Sequence, residues 1–481
     1  GETVVTAAEN EQAKTASDEM IDSASKLKEK LENAKGTANF QLTKDIDTST
    51  TIQLEQKDSN ITLDLNGHKI KYTSPDQPLF NIIGGATLTI KDTDPEKPKD
   101  EVISVKQLDD PGQNLNRNLN RGNYGKDAKL SYDNAYDNGI PSNLIYYVTQ
   151  SSPSKTDTTK TTETLYKHSV DIKGAIVACG GNANLRLINL YNKNGKGGTF
   201  NLVSGVITQK QGGSVSSLVY AEGGSTVNMS GGYVCGASGS GASAGIMVSN
   251  NNGGASTLDL TGGVIAGNSA YSGGGVYARY SEVTITNGVI SGNSTLSAGL
   301  GGGIMAEGGI VTVSGGYITN NRMAKFCNTE GSGCHGGAGL AANNGAHVTI
   351  SGGQITGNYS EEAGGGVYVT NFNRGDMAWL DITGGYIASN VSFRSEGAGI
   401  RVGQKVDAMI GDTPDNNGTP GSKVYITNNC CMSRFDWGGG GIFVQGDSKN
   451  ADNAGRLFVY NSYISSNTAG GYGGGVAVCP T

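Results

Sequence analysis

Acidic, aromatic and cationic residues recur just ahead of a set of Gly-rich strands in the C-terminal half of the sequence. Align those strands on their first inward residue: Leu340, Val367, Ile400 and Ile442. The positions just before hold His335, then Glu361 and Glu362, then Glu396, then Asp436 and Trp437, flanked by Arg394 and Arg434. On successive parallel strands such residues would lie about 5 Å apart, or about 10 Å with one strand between. A retaining glycosidase needs carboxylates ~5–5.5 Å apart, and an inverting one ~6.5–9.5 Å. Glu362, Glu396, Asp436 and His335 are therefore the candidate catalytic set, for a glycoside hydrolase. A polysaccharide lyase would also need a cation against the uronate and a Lys or Arg base. Acidic residues collect in solvated corner loops without any chemistry as well, so the enzyme is the second reading.

Binding chemistry is the first. Outward positions after the Gly-Gly-Gly turns hold Met247, Tyr277, Met305, Tyr368, Arg401 and Phe443. Those after the Ser-Gly-Gly turns include Tyr233, Tyr317, Tyr386 and Tyr463. Rows of exposed aromatics suit sugar rings, whose apolar faces stack on them, and a Tyr hydroxyl adds a hydrogen bond. Tyr277, Tyr368, Arg401, Phe443, Trp437, Arg394 and Arg434 are the candidate ligand-binding residues. Tyr is also simply a good strand residue.

Other constellations are thin. There are four His, and His68 and His347 read as structural. No Ser-His-Asp or Cys-His arrangement, phosphate loop, calcium-roll motif or EF-hand spacing occurs, so neither cofactor nor metal is expected. Arg374-Gly375-Asp376 is a lone tripeptide that a long Gly-rich chain yields by chance. The seven Cys (Cys179, Cys235, Cys327, Cys334, Cys430, Cys431 and Cys479) show no zinc spacing. Cys327 and Cys334 could close a local disulfide, and most of the others read as small buried hydrophobes. A net charge of −7 without a basic stripe argues against nucleic acid. No run of 18 apolar residues is present, so no transmembrane segment is expected.

The elements that must position these residues are repeats. TVNMSGGYVCG (226–236), TLDLTGGVIAGN (257–268), EVTITNGVISGN (282–293), IVTVSGGYITNN (310–321), HVTISGGQITGN (347–358) and WLDITGGYIASN (379–390) share one pattern. The second Gly of the turn recurs at Gly232, Gly263, Gly288, Gly316, Gly353 and Gly385. Such a period, with variable insertions, marks a solenoid. Within each copy a period of two, as in Val348-Thr349-Ile350, predicts a half-buried strand. Ile265, Ile290, Ile318, Ile355, Ile387 and Ile464 face inward next. Three residues on stand Asn268, Asn293, Asn321, Asn358, Asn390 and Asn467, expected at left-handed corners and able to stack as a ladder.

The expected fold is all-β: a right-handed, single-stranded parallel β-helix with about three short strands per coil and an N-terminal capping α-helix. Residues 1–36 form the N-terminal segment and cap. Within them 18–35 predict an amphipathic helix through Met20, Ile21, Leu27 and Leu31, ended by Gly36. Residues 37–481 form the β-helix. Its pattern lapses at about 94–172, an insertion of the length that usually carries a functional loop or side domain. The chain starts in polar sequence and stops inside a repeat, which predicts a piece of a longer protein.

The Ile/Val-x-x-Asn corners paired with Gly-Gly-Gly-Val/Ile resemble the repeats of polymorphic outer-membrane proteins and related bacterial adhesins. NITLDLNGHKI…ATLTIKDT is similar to the start of pectin-lyase-like β-helix domains of large surface proteins. Here Ile replaces the Phe of the adhesin motif. The resemblance covers residues 18–93 and 173–479. It implies a secreted or cell-surface bacterial protein, an adhesin-like scaffold whose partner is carbohydrate or a host surface glycoprotein, with oligomeric state open.

Overall fold

The structure is a computed structural model and describes residues 18–103, 132–295, 299–323, 336–371, 375–412, 424–433 and 438–479. Three long parallel sheets of 13, 12 and 12 strands run side by side, and the chain visits each once per coil. One coil reads Thr257–Leu260 in the first sheet, Val264–Ala266 in the second and Val276–Arg279 in the third, before Glu282–Ile285 re-enters the first. Every neighbouring pair within the three sheets is parallel and in register, as in Val311 against Val348 against Leu380. The protein is a parallel β-helix.

Alternation explains why these segments are strands. Val348 and Ile350, Leu380 and Ile382, Val283 and Ile285 point in and are buried, while the Thr or Asp between them points out. The inward residues form one continuous core from Ile21 to Val444. Gly263, Gly288, Gly316, Gly353 and Gly385 have φ of 77–103° where the chain leaves the first sheet. At each of them a Cβ would also press on the previous coil, as at Gly353, 2.7 Å from the Gly315 carbonyl.

The three-strand expectation needs an addition. From Ser269 onward a fourth, seven-stranded sheet of two-residue strands follows the second sheet in each coil. It begins just after the Asn that recurs in each repeat, and those Asn do stack. Asn268 Nδ2 donates to Asn293 Oδ1 at 3.0 Å, and the same bond links Asn293 to Asn321, Asn321 to Asn358 and Asn358 to Asn390. Asn390, Asn429 and Asn467 extend the ladder. Each Oδ1 also accepts the backbone N–H one coil back, as Asn358 Oδ1 does from Asn321. The left-handed corner is not the Asn itself. It is the residue before: Gly267, Gly292, Asn320, Gly357, Ser389, Asn428 and Ser466. That residue absorbs the strained φ, and the Asn side chain is free to turn inward and satisfy buried backbone. The third Gly of each triad leaves the ladder room. A Cβ on Gly366 would stand 2.9 Å from Asn390 Nδ2, and one on Gly339 2.9 Å from Asn358 Nδ2.

The N-terminal cap is shorter than the 18–35 expectation. Glu19–Ile21 is a strand that pairs with Phe40–Leu42 at the edge of the first sheet, leaving Met20 exposed. The helix α1 spans Ala24–Asn33, with Ser23 as N-cap accepting from the Lys26 N–H. Edge-strand hydrogen bonds win over helix at 19–21, and a Ser with an accepting hydroxyl fixes the true start. Leu27 and Leu31 plug the first coil. Glu32 accepts the N–H of Gln53 at 2.8 Å and Lys28 donates to the Thr51 carbonyl at 2.7 Å, so α1 also occupies the third sheet's edge strand, Ile52–Leu54.

The insertion forms a separate antiparallel sheet in the order Tyr132–Asp137, Ile140–Pro153, Thr161–Asp171, Lys99–Ile103. It lies crosswise on the second sheet as an axial strap. Its 14-residue strand Ile140–Pro153 is about 44 Å long, enough to cross about nine rungs at ~4.8 Å. Leu144, Tyr146, Val148 and Val170 pack on Val206, Cys235, Val264 and Ala266. Farther along, Thr149 N–H donates to Thr319 Oγ1 at 3.0 Å and Gln354 donates to the Ser151 carbonyl at 2.9 Å. At the tip, Asn428 donates to Glu163 at 2.7 Å and Ser465 to the Thr159 carbonyl at 2.7 Å. The insertion's residues 104–131 and the N-terminal 1–17 lie outside the described residues.

Candidate functional site

The third sheet brings the expected aromatic row together. Tyr277, Met305, Ala341, Tyr368, Arg401 and Phe443 stand at one register position on successive strands, pointing away from the core. They are not exposed, which corrects the expectation. Tyr220, Met247, Tyr277, Leu300, Met305, Ala341 and Tyr368 make a small second core, and Arg401 and Phe443 are buried too. The cause is the Gly-rich segment ahead of each strand, which folds back over it. Gly364, Gly397 and Gly439 have φ of 59–76°, and a Cβ on them would meet the Cβ of Tyr368, Arg401 and Phe443 at 2.7–2.9 Å.

The carboxylates lie in that same cover. Glu362 and Glu396 are buried, against the expectation of a solvated corner. Glu396 pairs with Arg401 at 3.3 Å and accepts from the Ser395 hydroxyl. Arg401 also donates to Tyr368 Oη at 3.0 Å and Gln445 Oε1 at 2.8 Å, and its guanidinium lies over the Tyr368 ring at 4.9 Å and 5.7 Å from the Phe443 ring. A buried ion pair whose guanidinium also bonds Tyr368 and Gln445 is an assembly that holds a loop down. Arg394 sits by the Phe393 ring, 5.9 Å away. Tyr277 donates to Glu307 at 2.7 Å, and burial beside that carboxylate pushes its phenol up to about 12. His335, Arg434, Asp436 and Trp437 lie outside the described residues, as do Cys327, Cys334 and Arg374.

On the second sheet the strap covers Tyr233 and Tyr317, each packed against its apolar face. Tyr386, Tyr425 and Tyr463 form a row with ring centroids 5.0 Å apart, Tyr425 buried between two half-buried neighbours. Cys235, Cys430 and Cys431 are buried thiols, as expected of small hydrophobes, and burial raises Cys235 to about 11.

The first sheet's outward face is different. Its side chains stay half-buried or exposed along its length, except Asp64 and Asp407, the latter under Arg456. One row runs Thr199, Thr226, Thr257, Glu282, Ile310, His347, Trp379. The next runs Asn201, Asn228, Asp259, Thr284, Thr312, Thr349, Asp381, Met409. Asn228 donates to Asn201 at 2.9 Å and Asn201 to Thr89 at 3.0 Å. Toward the C-terminal coils this polar face turns aromatic. Trp379 is 38% exposed and its ring lies 6.0 Å from that of His347. Burial pushes the neighbouring Asp381 carboxyl above its ordinary value, with His347 pulling it back. Sequence reasoning passed over Trp379. The signal was there: an aromatic stands in the outward slot that Thr226, Thr257 and Glu282 fill in earlier repeats.

Among the described residues no group of three or more His, Cys, Asp or Glu could hold a metal ion. No helix among them is long and apolar enough to cross a membrane. The fold defines a class, the parallel β-helices. Compared with family models, with curated proteins and with solved structures, the chain matches none.

Proposed function

We propose that this β-helix is an extracellular or cell-surface scaffold, adhesin-like, that binds carbohydrate or a surface glycoprotein. The observation that carries the reading is the first sheet's outward face, a long flat array of Thr, Asn and Asp that leads to an exposed aromatic patch. Flat arrays of hydroxyl and amide groups offer repeated hydrogen bonds of low individual strength, and an exposed aromatic adds stacking. Pectin-lyase-like ancestry, adhesin descent and bacterial origin belong to this proposal as well. The alternative, a glycoside hydrolase or polysaccharide lyase, needs a carboxylate that meets substrate. Glu396 is buried against Arg401 and Glu362 is buried beside it in the cover, which favours the scaffold.

The test is a glycan-array screen with released-sugar detection in the same wells, comparing wild type with the Glu362→Gln/Glu396→Gln double variant. Binding without released sugar, unchanged in the variant, supports the scaffold. Released sugar that vanishes in the variant replaces it with the hydrolase or lyase.

A further inference from the structure

The Trp379 patch narrows the ligand. We infer that Trp379 is the stacking platform for one uncharged sugar ring, a pyranose without carboxylate or sulfate, with Asp381 and Thr349 as hydroxyl partners. This rests on the scaffold reading above and names the ligand class of the same face.

Three observations carry it. First, the exposure belongs to the face and not to an open coil. The strand Ala378–Ile382 is paired on both sides, to His347–Ile350 and to Val406–Ile410. An exposed Trp there is unforced by any missing neighbour, and an outward Thr would satisfy the strand equally well. Second, the shape selects the ligand. A strand paired on both sides offers no edge for an added peptide strand, and a flat sheet face offers no groove for a helix. A ring lying flat on an indole needs neither. Polar groups stand one rung away (His347) and two residues away (Asp381), about 4.8 Å and about 6.6 Å, spacings that one ring spans. Thr349 lies diagonally across, paired with Asp381. Third, the charge excludes acids. Asp381 and Asp407 flank Trp379, and the nearby Arg456 is committed to Asp407 at 2.6 Å. A uronate or sulfated ring would meet the carboxylate of Asp381, and like charges at this range repel. A hydroxyl-bearing ring instead donates to that carboxylate. The same carboxylates argue against a lipid surface of anionic headgroups.

Calorimetric titration of the whole protein tests the assignment with three tetrasaccharides of equal length: a neutral hexose, an N-acetylated amino sugar and a hexuronate. Wild type is expected to bind one or both uncharged probes at least tenfold more tightly than the uronate. Trp379→Ala should weaken that binding at least tenfold, with Trp379→Tyr recovering part of it. Tyr271→Ala, an exposed aromatic outside that face, should leave it within twofold. Uncharged-sugar binding that survives Trp379→Ala overturns the platform and leaves the scaffold reading standing. A wild type that prefers the uronate overturns the charge argument. No binding to any probe, together with a silent glycan array, removes both the platform and the scaffold reading.

Discussion

Two faces of this solenoid are built from the same repeat and end up in opposite states. On the third sheet, outward Tyr277, Tyr368, Arg401 and Phe443 are buried. On the first sheet, outward Thr349, Asp381 and Trp379 meet solvent. The strands alternate alike and their registers are alike. The difference lies in the connections: the Gly-rich segment turns back across the third sheet, whereas from Met229 to Gly385 the first sheet is left by tight turns such as that at Gly353. A β-strand's own sequence sets which side chains point out. Segments elsewhere in the coil decide whether pointing out means meeting water. The burial of Arg401 and the openness of Trp379 are consequences of loop routing.

That contrast is open to attack in order of effect. Arg401→Ala strands Glu396 in the covered face and should cost about 3–5 kcal/mol, the range for breaking a buried pair. Urea denaturation reads it, and a cost below about 1 kcal/mol would mean the cover is loose and wet. Leu144→Ala, in the strap's apolar face, should cost about 2–3 kcal/mol, the lower part of the core range because one side of the strap faces out. Glu163 at the strap tip is a matter of pH. Burial raises its carboxyl above the ordinary 4.5, opposed by hydrogen bonds from Thr161, Asn428 and Ser151. The folded state therefore holds that proton more tightly than the unfolded chain. Its contribution is full below about pH 4.5 and is lost as pH rises through the folded-state pKa. Glu163→Gln should flatten this slope in melts taken across pH 4–8, and an identical slope in the variant would sink the assignment. Smallest of all, Thr349→Ala on the open face should shift stability by no more than about 0.5 kcal/mol, and a cost near that of Leu144→Ala would show the open face to be covered in solution.

Most of the coil was legible because its causes are local. The alternation at Val348-Thr349-Ile350 and the Gly turn at Gly353 need only neighbouring residues, and the Asn ladder needs only that each coil repeat the last. The left-handed residue was misplaced by one, since Asn and Gly both favour that conformation and only the turn geometry separates Gly357 from Asn358. The strap was not legible. Leu144, Tyr146 and Val148 alternate as a strand should, but their partners lie far away in sequence, as Thr149 to Thr319 and Asn428 to Glu163 do, and no repeat announces them. The candidate site failed for the same reason. Outwardness was read correctly at Tyr368 and Arg401, and exposure was inferred from it without knowing where the Gly-rich segment ran.

The strap has a consequence for how the rod bears load. Coils in a solenoid touch only their neighbours, so a fault in one is normally felt one coil away and a pulled end peels coil by coil. A covalent strand laid lengthwise changes this. Tension along the axis enters Ile140–Pro153 and is shared by its bonds to rungs as far apart as Ser291 and Gln354. Peeling must then shear many bonds at once, and the middle of the rod answers to pulling as one stiff segment. Such a strut keeps the open face straight while the body is under load.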